Sequence, residues 1–198
     1  IQEIYNARDD VKYNESNNVP QFFDGNRWVS MTGEWPDVTT GLVGHWKFDE
    51  TSGTTAIDSS GNGYDGAMSN GLDAANDSTI GAINTALKFY GTRTGTDYDI
   101  DLGTGAGFDM SPSNAFTISA WAYPEGGDGG IIFSRGDPNG GASNDSYFLA
   151  RYQVDPTRWQ AGISDGSTYS FATAGVGTVD VGEWQHMVVT WNGTDLIL

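Results

Sequence analysis

The alternation of apolar and polar positions predicts a protein built almost entirely of short β-strands. In Phe116–Tyr123, the side chains at even positions fall on one face of a strand, and those at odd positions, including Trp121 and Tyr123, fall on the other. No segment sustains a helical period of 3.6 residues, so little helix is expected. Short strands separated by glycine turns are typical of an antiparallel two-sheet sandwich or jelly roll. Beyond Gly41 we predict strands at Leu42–Phe48, Ala86–Tyr90, Tyr98–Leu102, Phe116–Tyr123, Gly130–Ser134, Tyr147–Gln153, Trp159–Ser164, Thr168–Thr173, Trp184–Trp191 and Asp195–Leu198.

The first 36 residues follow a different pattern and are predicted to form a separate small module. A short strand is expected at Glu3–Asn6, and Pro20–Met31 places Asp24-Gly25 between two aromatic segments, which is a strong hairpin signal. We therefore divide the chain into a β-hairpin module with its linker, residues 1–36, and an all-β domain, residues 41–198.

Composition narrows the possible functions. The chain has 28 glycines among 198 residues, no cysteine and a formal net charge of -17. The missing cysteine excludes disulfides and thiol catalysis, and the acidic balance makes nucleic acid a poor partner. Acidity raises the local cation concentration, which suits calcium, although it also serves solubility alone. The longest apolar runs are too short to span a bilayer, so no membrane insertion is expected.

Five sequence blocks occur together in an order that resembles bacterial laminin-G-like, or concanavalin A-like, jelly-roll domains. The resemblance covers residues 41–198 and implies two antiparallel sheets, in an extracellular protein or one at a cell or particle surface, that binds a glycan or a protein. It also implies calcium near the rim of a sheet. The N-terminal piece is similar to short hairpin units in surface proteins of bacteria and their phages. The five blocks are Gly41–Glu50, Asp58–Gly63, Ala86–Phe89, Phe116–Trp121 and Glu183–Gly193.

A calcium site is predicted around the first polar loop. Asp58 and Asn62 offer a carboxylate and an amide four residues apart, with Gly61 allowing a turn between them. The resemblance carries Asp97 across from the family's pattern, and Asp99 can complete the same shell. Asp and Asn also cap turns by bonding their own backbone, so a purely structural role stays open.

Aromatic residues are the candidate ligand-binding groups. Trp121, Tyr123, Tyr152 and Trp159, with Tyr169, suit stacking on sugar rings where they face solvent. Core packing is the alternative for each of them.

No catalytic constellation is recognised, so no enzyme is predicted. Beyond the N-terminal module the glutamates Glu50, Glu125 and Glu183 stand alone, whereas glycoside hydrolysis needs two carboxylates flanking one bond. Asp99 and Asp101 have same-face spacing, which solvation or calcium explains equally well. His45 and His186 lie in apolar strand blocks and are expected to be structural.

The expected function is a non-catalytic binding module for glycan or protein recognition and adhesion, stabilised by calcium. The alternative is a structural or decoration subunit of an assembly such as a surface filament or virus particle. The sequence stops inside the strand predicted at Asp195–Leu198. We therefore expect either a fragment of a longer protein or a partner, a copy of the chain or another chain, that completes the sheet.

Overall fold

The computed structural model describes residues 11–14, 19–23, 28–30, 41–90, 98–108, 115–126, 130–136, 144–152 and 154–198. The chain divides into two compact units, Ile1–Leu42 and Val43–Leu198.

The first unit contains a three-stranded antiparallel sheet in the order β1-β2-β3. Phe23 pairs with Trp28 across the hairpin predicted from the Asp-Gly pattern. The strand expected at Glu3–Asn6 lies outside the described residues. The strands are β1 (Val11–Asn14), β2 (Val19–Phe23) and β3 (Trp28–Ser30).

The second unit begins with short elements in two small antiparallel sheets, ordered β4-β5-β8 and β6-β7. Their cluster of apolar side chains includes Leu72, which is 1% exposed, with Trp46 packed against it. The four-residue helix begins at its N-cap Asp73, whose side chain accepts from the Ala75 N–H. The elements are β4 (Thr55–Ala56), β5 (Gly66–Met68), α1 (Ala74–Asp77), β6 (Ser78–Ile80), β7 (Thr85–Leu87) and β8 (Ile100–Asp101).

The continuous strand predicted at Leu42–Phe48 is not formed. Trp46 makes an isolated antiparallel bridge with Asp58, and the rest of the segment is irregular. Phe48 has a φ of 58°, in the left-handed region, so the backbone cannot continue there as an extended strand.

The remaining strands form the two larger sheets, both antiparallel. One has four strands in the order β10-β11-β12-β13, and the other has three in the order β15-β14-β9. A single turn of 3-10 helix, Ala106–Phe108, precedes them. The strands are β9 (Phe116–Ala122), β10 (Ile131–Arg135), β11 (Asn144–Arg151), β12 (Trp159–Asp165), β13 (Tyr169–Thr173), β14 (Gln185–Trp191) and β15 (Leu196–Ile197).

These two sheets pack face to face around the main apolar core. Leu149 and Ala161 of the four-stranded sheet are fully buried in one cluster with Val189 of the three-stranded sheet, which is 1% exposed. Ile118, Ala120 and Ala122, at even-numbered positions of β9, pack against this cluster. The all-β antiparallel sandwich predicted from the sequence is therefore confirmed, and the odd-numbered side chains of β9 point away from the core.

Candidate functional site

The side of the three-stranded sheet that points away from the core carries a group of exposed rings. Trp121 is 48% exposed and Tyr123 is 43% exposed, and both occupy odd positions that continue the outward side of β9. The pairing of β9 with β14 places His186 directly opposite Trp121. Directly opposite residues of an antiparallel pair project from the same face, so His186 shares the outward side.

The imidazole of His186 holds the Trp121 ring in place. Their ring centroids are 4.9 Å apart and their planes differ by 28°, which is a stacked arrangement. His186 Nε2 lies 2.8 Å from the Ser119 hydroxyl oxygen, one of the outward groups of β9. A hydrogen bond therefore fixes the ring that supports the indole, while about half of the Trp121 side chain stays open to solvent.

Trp184 extends the same surface beyond the end of β9. Its ring centroid lies 5.5 Å from that of Tyr123, with the planes tilted by 58°. We call the four rings Trp121, Tyr123, Trp184 and His186 the aromatic face. The outward side chains of Val188 and Ile197, 40% and 60% exposed, continue it as an apolar surface.

The other aromatic candidates occupy different positions. Trp159 is 4% exposed and belongs to the core cluster, which corrects its assignment as a ligand-binding residue, because both sides of its indole are covered by protein. Tyr152 is partly buried just beyond β11, where its N–H donates to the Arg158 carbonyl. Tyr169 lies on the four-stranded sheet.

Two members of the aromatic face are absent from the binding residues predicted from the sequence. The sequence predicts a structural role for His186 and places Trp184 only at the start of a strand. The signal was present in β14, because the alternation that buries Met187 and Val189 turns His186 outward.

The polar loop that begins at Asp58 is organised around one buried carboxylate. Asp58 Oδ1 accepts from the N–H groups of His45 and Ser60, both at 2.9 Å. Asp58 Oδ2 accepts from the Ser60 hydroxyl at 2.8 Å and from the Tyr64 N–H at 3.0 Å. Burial alone would raise the pKa of Asp58, but these hydrogen bonds outweigh it and lower the pKa to about 2.

The structure describes three of the four residues predicted to hold calcium: Asp58, Asn62 and Asp99. Both oxygens of Asp58 accept two protein hydrogen bonds each. Asn62 donates from its amide to the Val43 carbonyl at 2.9 Å, and Asp99 accepts from Asn70 at 3.3 Å. Asp97 lies outside the described residues. Within the described ranges, no three His, Cys, Asp or Glu side chains are grouped as a metal site.

Three of the carboxylates that could serve in catalysis have structural partners. Glu50 accepts from the Ile57 N–H at 2.9 Å, and Glu125 pairs with the Lys88 ammonium at 2.7 Å. Asp101 accepts from the Gly103 N–H at 2.8 Å. Glu50 and Asp101 therefore stabilise loops, and Glu125 forms a surface ion pair.

Comparison with known proteins agrees with the sandwich. Residues 93–198, more than half of the chain, match the Laminin_G_3 family model of the concanavalin A-like lectin/glucanases superfamily. Searches of curated proteins and of solved structures returned no match. Among the residues that the structure describes, no helix is long and apolar enough to cross a membrane. Because the family match covers more than half of the chain, the chain belongs to the concanavalin A-like lectin/glucanase superfamily.

Proposed function

We propose that this protein is a non-catalytic carbohydrate-binding module whose aromatic face binds an uncharged polysaccharide. The observation that carries the proposal is the state of Trp121, which is 48% exposed although it is stacked on a fixed imidazole. An extracellular or surface location belongs to the same proposal.

A ring held in this way suits stacking on a sugar. Aromatic side chains offer a flat apolar surface, and Tyr and Trp add a polar tip that can hydrogen-bond. Ligands lose less free energy on binding when the receptor groups are already ordered. The bond between Ser119 and His186 provides that order before any ligand arrives.

The charge of the chain favours a neutral ligand. With a net charge of -17, the protein repels polyanions such as uronate-rich or sulfated glycans over long range. An uncharged polysaccharide meets no such barrier. The protein-ligand and structural-subunit alternatives stay predictions, because no contact among the described residues of this single chain favours either of them.

The test is affinity electrophoresis through gels containing a soluble neutral polysaccharide. The panel comprises β-1,3-glucan, xyloglucan and galactomannan, with polygalacturonate as the anionic comparison. We expect the wild type to be retarded by a neutral polysaccharide, and Trp121→Ala to bind it at least tenfold more weakly, because exposed tryptophans dominate such contacts.

Ile80→Ala is the matched control, since Ile80 is 84% exposed and lies on β6, away from this sheet. It should migrate like the wild type. Equal retardation of Trp121→Ala and the wild type would contradict the proposal.

A further inference from the structure

A second group of rings lies on the four-stranded sheet. The Phe148 ring centroid is 6.0 Å from that of Tyr169 and 6.2 Å from that of Phe171. Tyr169 and Phe171 are stacked, with centroids 5.6 Å apart and planes differing by 24°. Phe171 is 57% exposed, so this group of rings reaches solvent through Phe171.

The strand register places these rings on the outward side of their sheet. Phe148 pairs with Gly162, and Gly162 pairs with Phe171. Their neighbours along the strands, Leu149 and Ala161, are buried in the main core. Because the two large sheets share that core, this surface and the aromatic face lie on opposite sides of the sandwich.

Gly162 allows the rings to lie close to the sheet. A Cβ at that position would stand 2.4 Å from Phe148 Cε1, so the Phe148 ring covers the space that a side chain would fill. This packing leaves Phe148 only 7% exposed and makes it the base of the surface, with Phe171 as its accessible part.

The surroundings of the rings are polar but uncharged. The Gln160 amide donates to the Thr173 hydroxyl at 3.0 Å, and the register places both on the outward side with the exposed Ser134. Among the described outward positions of this sheet, no side chain carries a charge. A charge-free surface on a chain of net charge -17 matches a ligand without ionic groups.

We propose that this Phe148–Tyr169–Phe171 surface is a second, separate binding surface for uncharged polysaccharide, so that one module bridges two polysaccharide chains. The rings provide stacking area, and the amide and hydroxyl groups provide hydrogen bonds of the kind that sugar hydroxyls accept and donate. The bridging role rests on the proposed function of the aromatic face, whereas binding by the second surface does not.

The experiment measures binding and clumping of beads coated with the neutral polysaccharide that retards the wild type. The proteins are the wild type, Trp121→Ala, Phe171→Ala, the double variant and Ile80→Ala, each shown to be monomeric by sizing. Phe171→Leu is added because it keeps the apolar volume while removing the ring. We expect the wild type and Ile80→Ala to bind and clump beads. Trp121→Ala, Phe171→Ala and Phe171→Leu should each bind at least fivefold more weakly and fail to clump them. The double variant should bind at least 100-fold more weakly.

The outcomes separate the two surfaces. If Phe171→Ala and Phe171→Leu clump beads like the wild type, or Trp121→Ala loses all binding, the second surface is overturned while the aromatic face stands. If the Phe171 variants lose all binding while Trp121→Ala binds normally, the aromatic face is overturned, the second surface stands and bridging is overturned. A wild type that binds none of the neutral polysaccharides overturns both.

Discussion

At the scale of single residues, Asp58 shows how a carboxylate that the sequence offers as a metal ligand has a structural role in the fold. Its spacing from Asn62 is compatible with calcium or with a turn, and the sequence leaves both open. The structure surrounds the carboxylate with donors from His45, Ser60 and Tyr64, which tie the segment before the loop to the end of the loop. Sequence spacing cannot show this, because three of the four donors are backbone N–H groups, which every residue except proline carries.

We predict that Asp58→Asn destabilises the fold by the same amount with and without calcium. The amide would place hydrogen-bond donors against donors, so about 2–3 kcal/mol of unfolding free energy should be lost. Thermal unfolding in millimolar calcium and in chelator measures this loss. Asp99→Asn, which alters one exposed bond to Asn70, is the control and should change little. A loss seen only in calcium would support the calcium hypothesis instead.

The lowered pKa of Asp58 predicts a specific dependence of stability on pH. The pKa of Asp58 is about 2 in the folded protein and 3.8 for a carboxyl without these hydrogen bonds, as in the unfolded chain. The carboxylate therefore stabilises the fold fully above pH 3.8, and this stabilisation is lost as the pH falls through 2. The loss should reach about 2 kcal/mol at pH 2. Urea unfolding of the wild type and Asp58→Asn at pH 5, 3 and 2 isolates it. The difference between the two proteins should narrow on acidification, and a constant difference would contradict the assignment.

At the scale of elements, both β9 and β12 could be predicted as strands, but their faces differ in how far the sequence separates them. Strict alternation in β9 gave the strand and placed Trp121 on one of its two faces, and the structure shows that this face points outward. In β12 the outward Gly162 lies under the Phe148 ring, so both sides of the strand are buried and period two does not separate them. Trp159 could therefore not be assigned to the core from its sequence neighbours.

From the contact between β9 and β14 we predict that Ser119 positions the His186 ring of the aromatic face without contacting the ligand itself. Ser119→Ala removes the bond to His186 and should weaken polysaccharide binding about fivefold, the equivalent of roughly 1 kcal/mol. Titration calorimetry of the folded variants measures it. Ser119→Thr, which keeps the hydroxyl, should bind nearly like the wild type. Thr117→Ala, an exposed change on the same strand, should have no effect, and equal losses for Thr117→Ala and Ser119→Ala would contradict the role of Ser119.

At the scale of the whole molecule, the sandwich was predictable because its long strands carry most of the apolar alternation. Between Thr55 and Asp101, the predicted strands overlap β7 and β8 but not β4, β5 or β6, since strands of two or three residues have no measurable period. The contacts between rings on neighbouring strands could likewise not be predicted, because they depend on the register in which the strands pair. Two residues of the candidate site, Trp121 and Tyr123, could therefore be predicted from the sequence. The other two, His186 and Trp184, were identified only from the structure.

The most direct test of the account follows the indole N–H resonances of the seven tryptophans during titration with the neutral polysaccharide. Trp121→Phe and Trp159→Phe assign the two signals needed. If the aromatic face binds the polysaccharide, the Trp121 resonance should shift as ligand is added, while that of Trp159, buried in the core, stays in place. Measurable binding with an unmoved Trp121 resonance would contradict the claim that the aromatic face is a binding site.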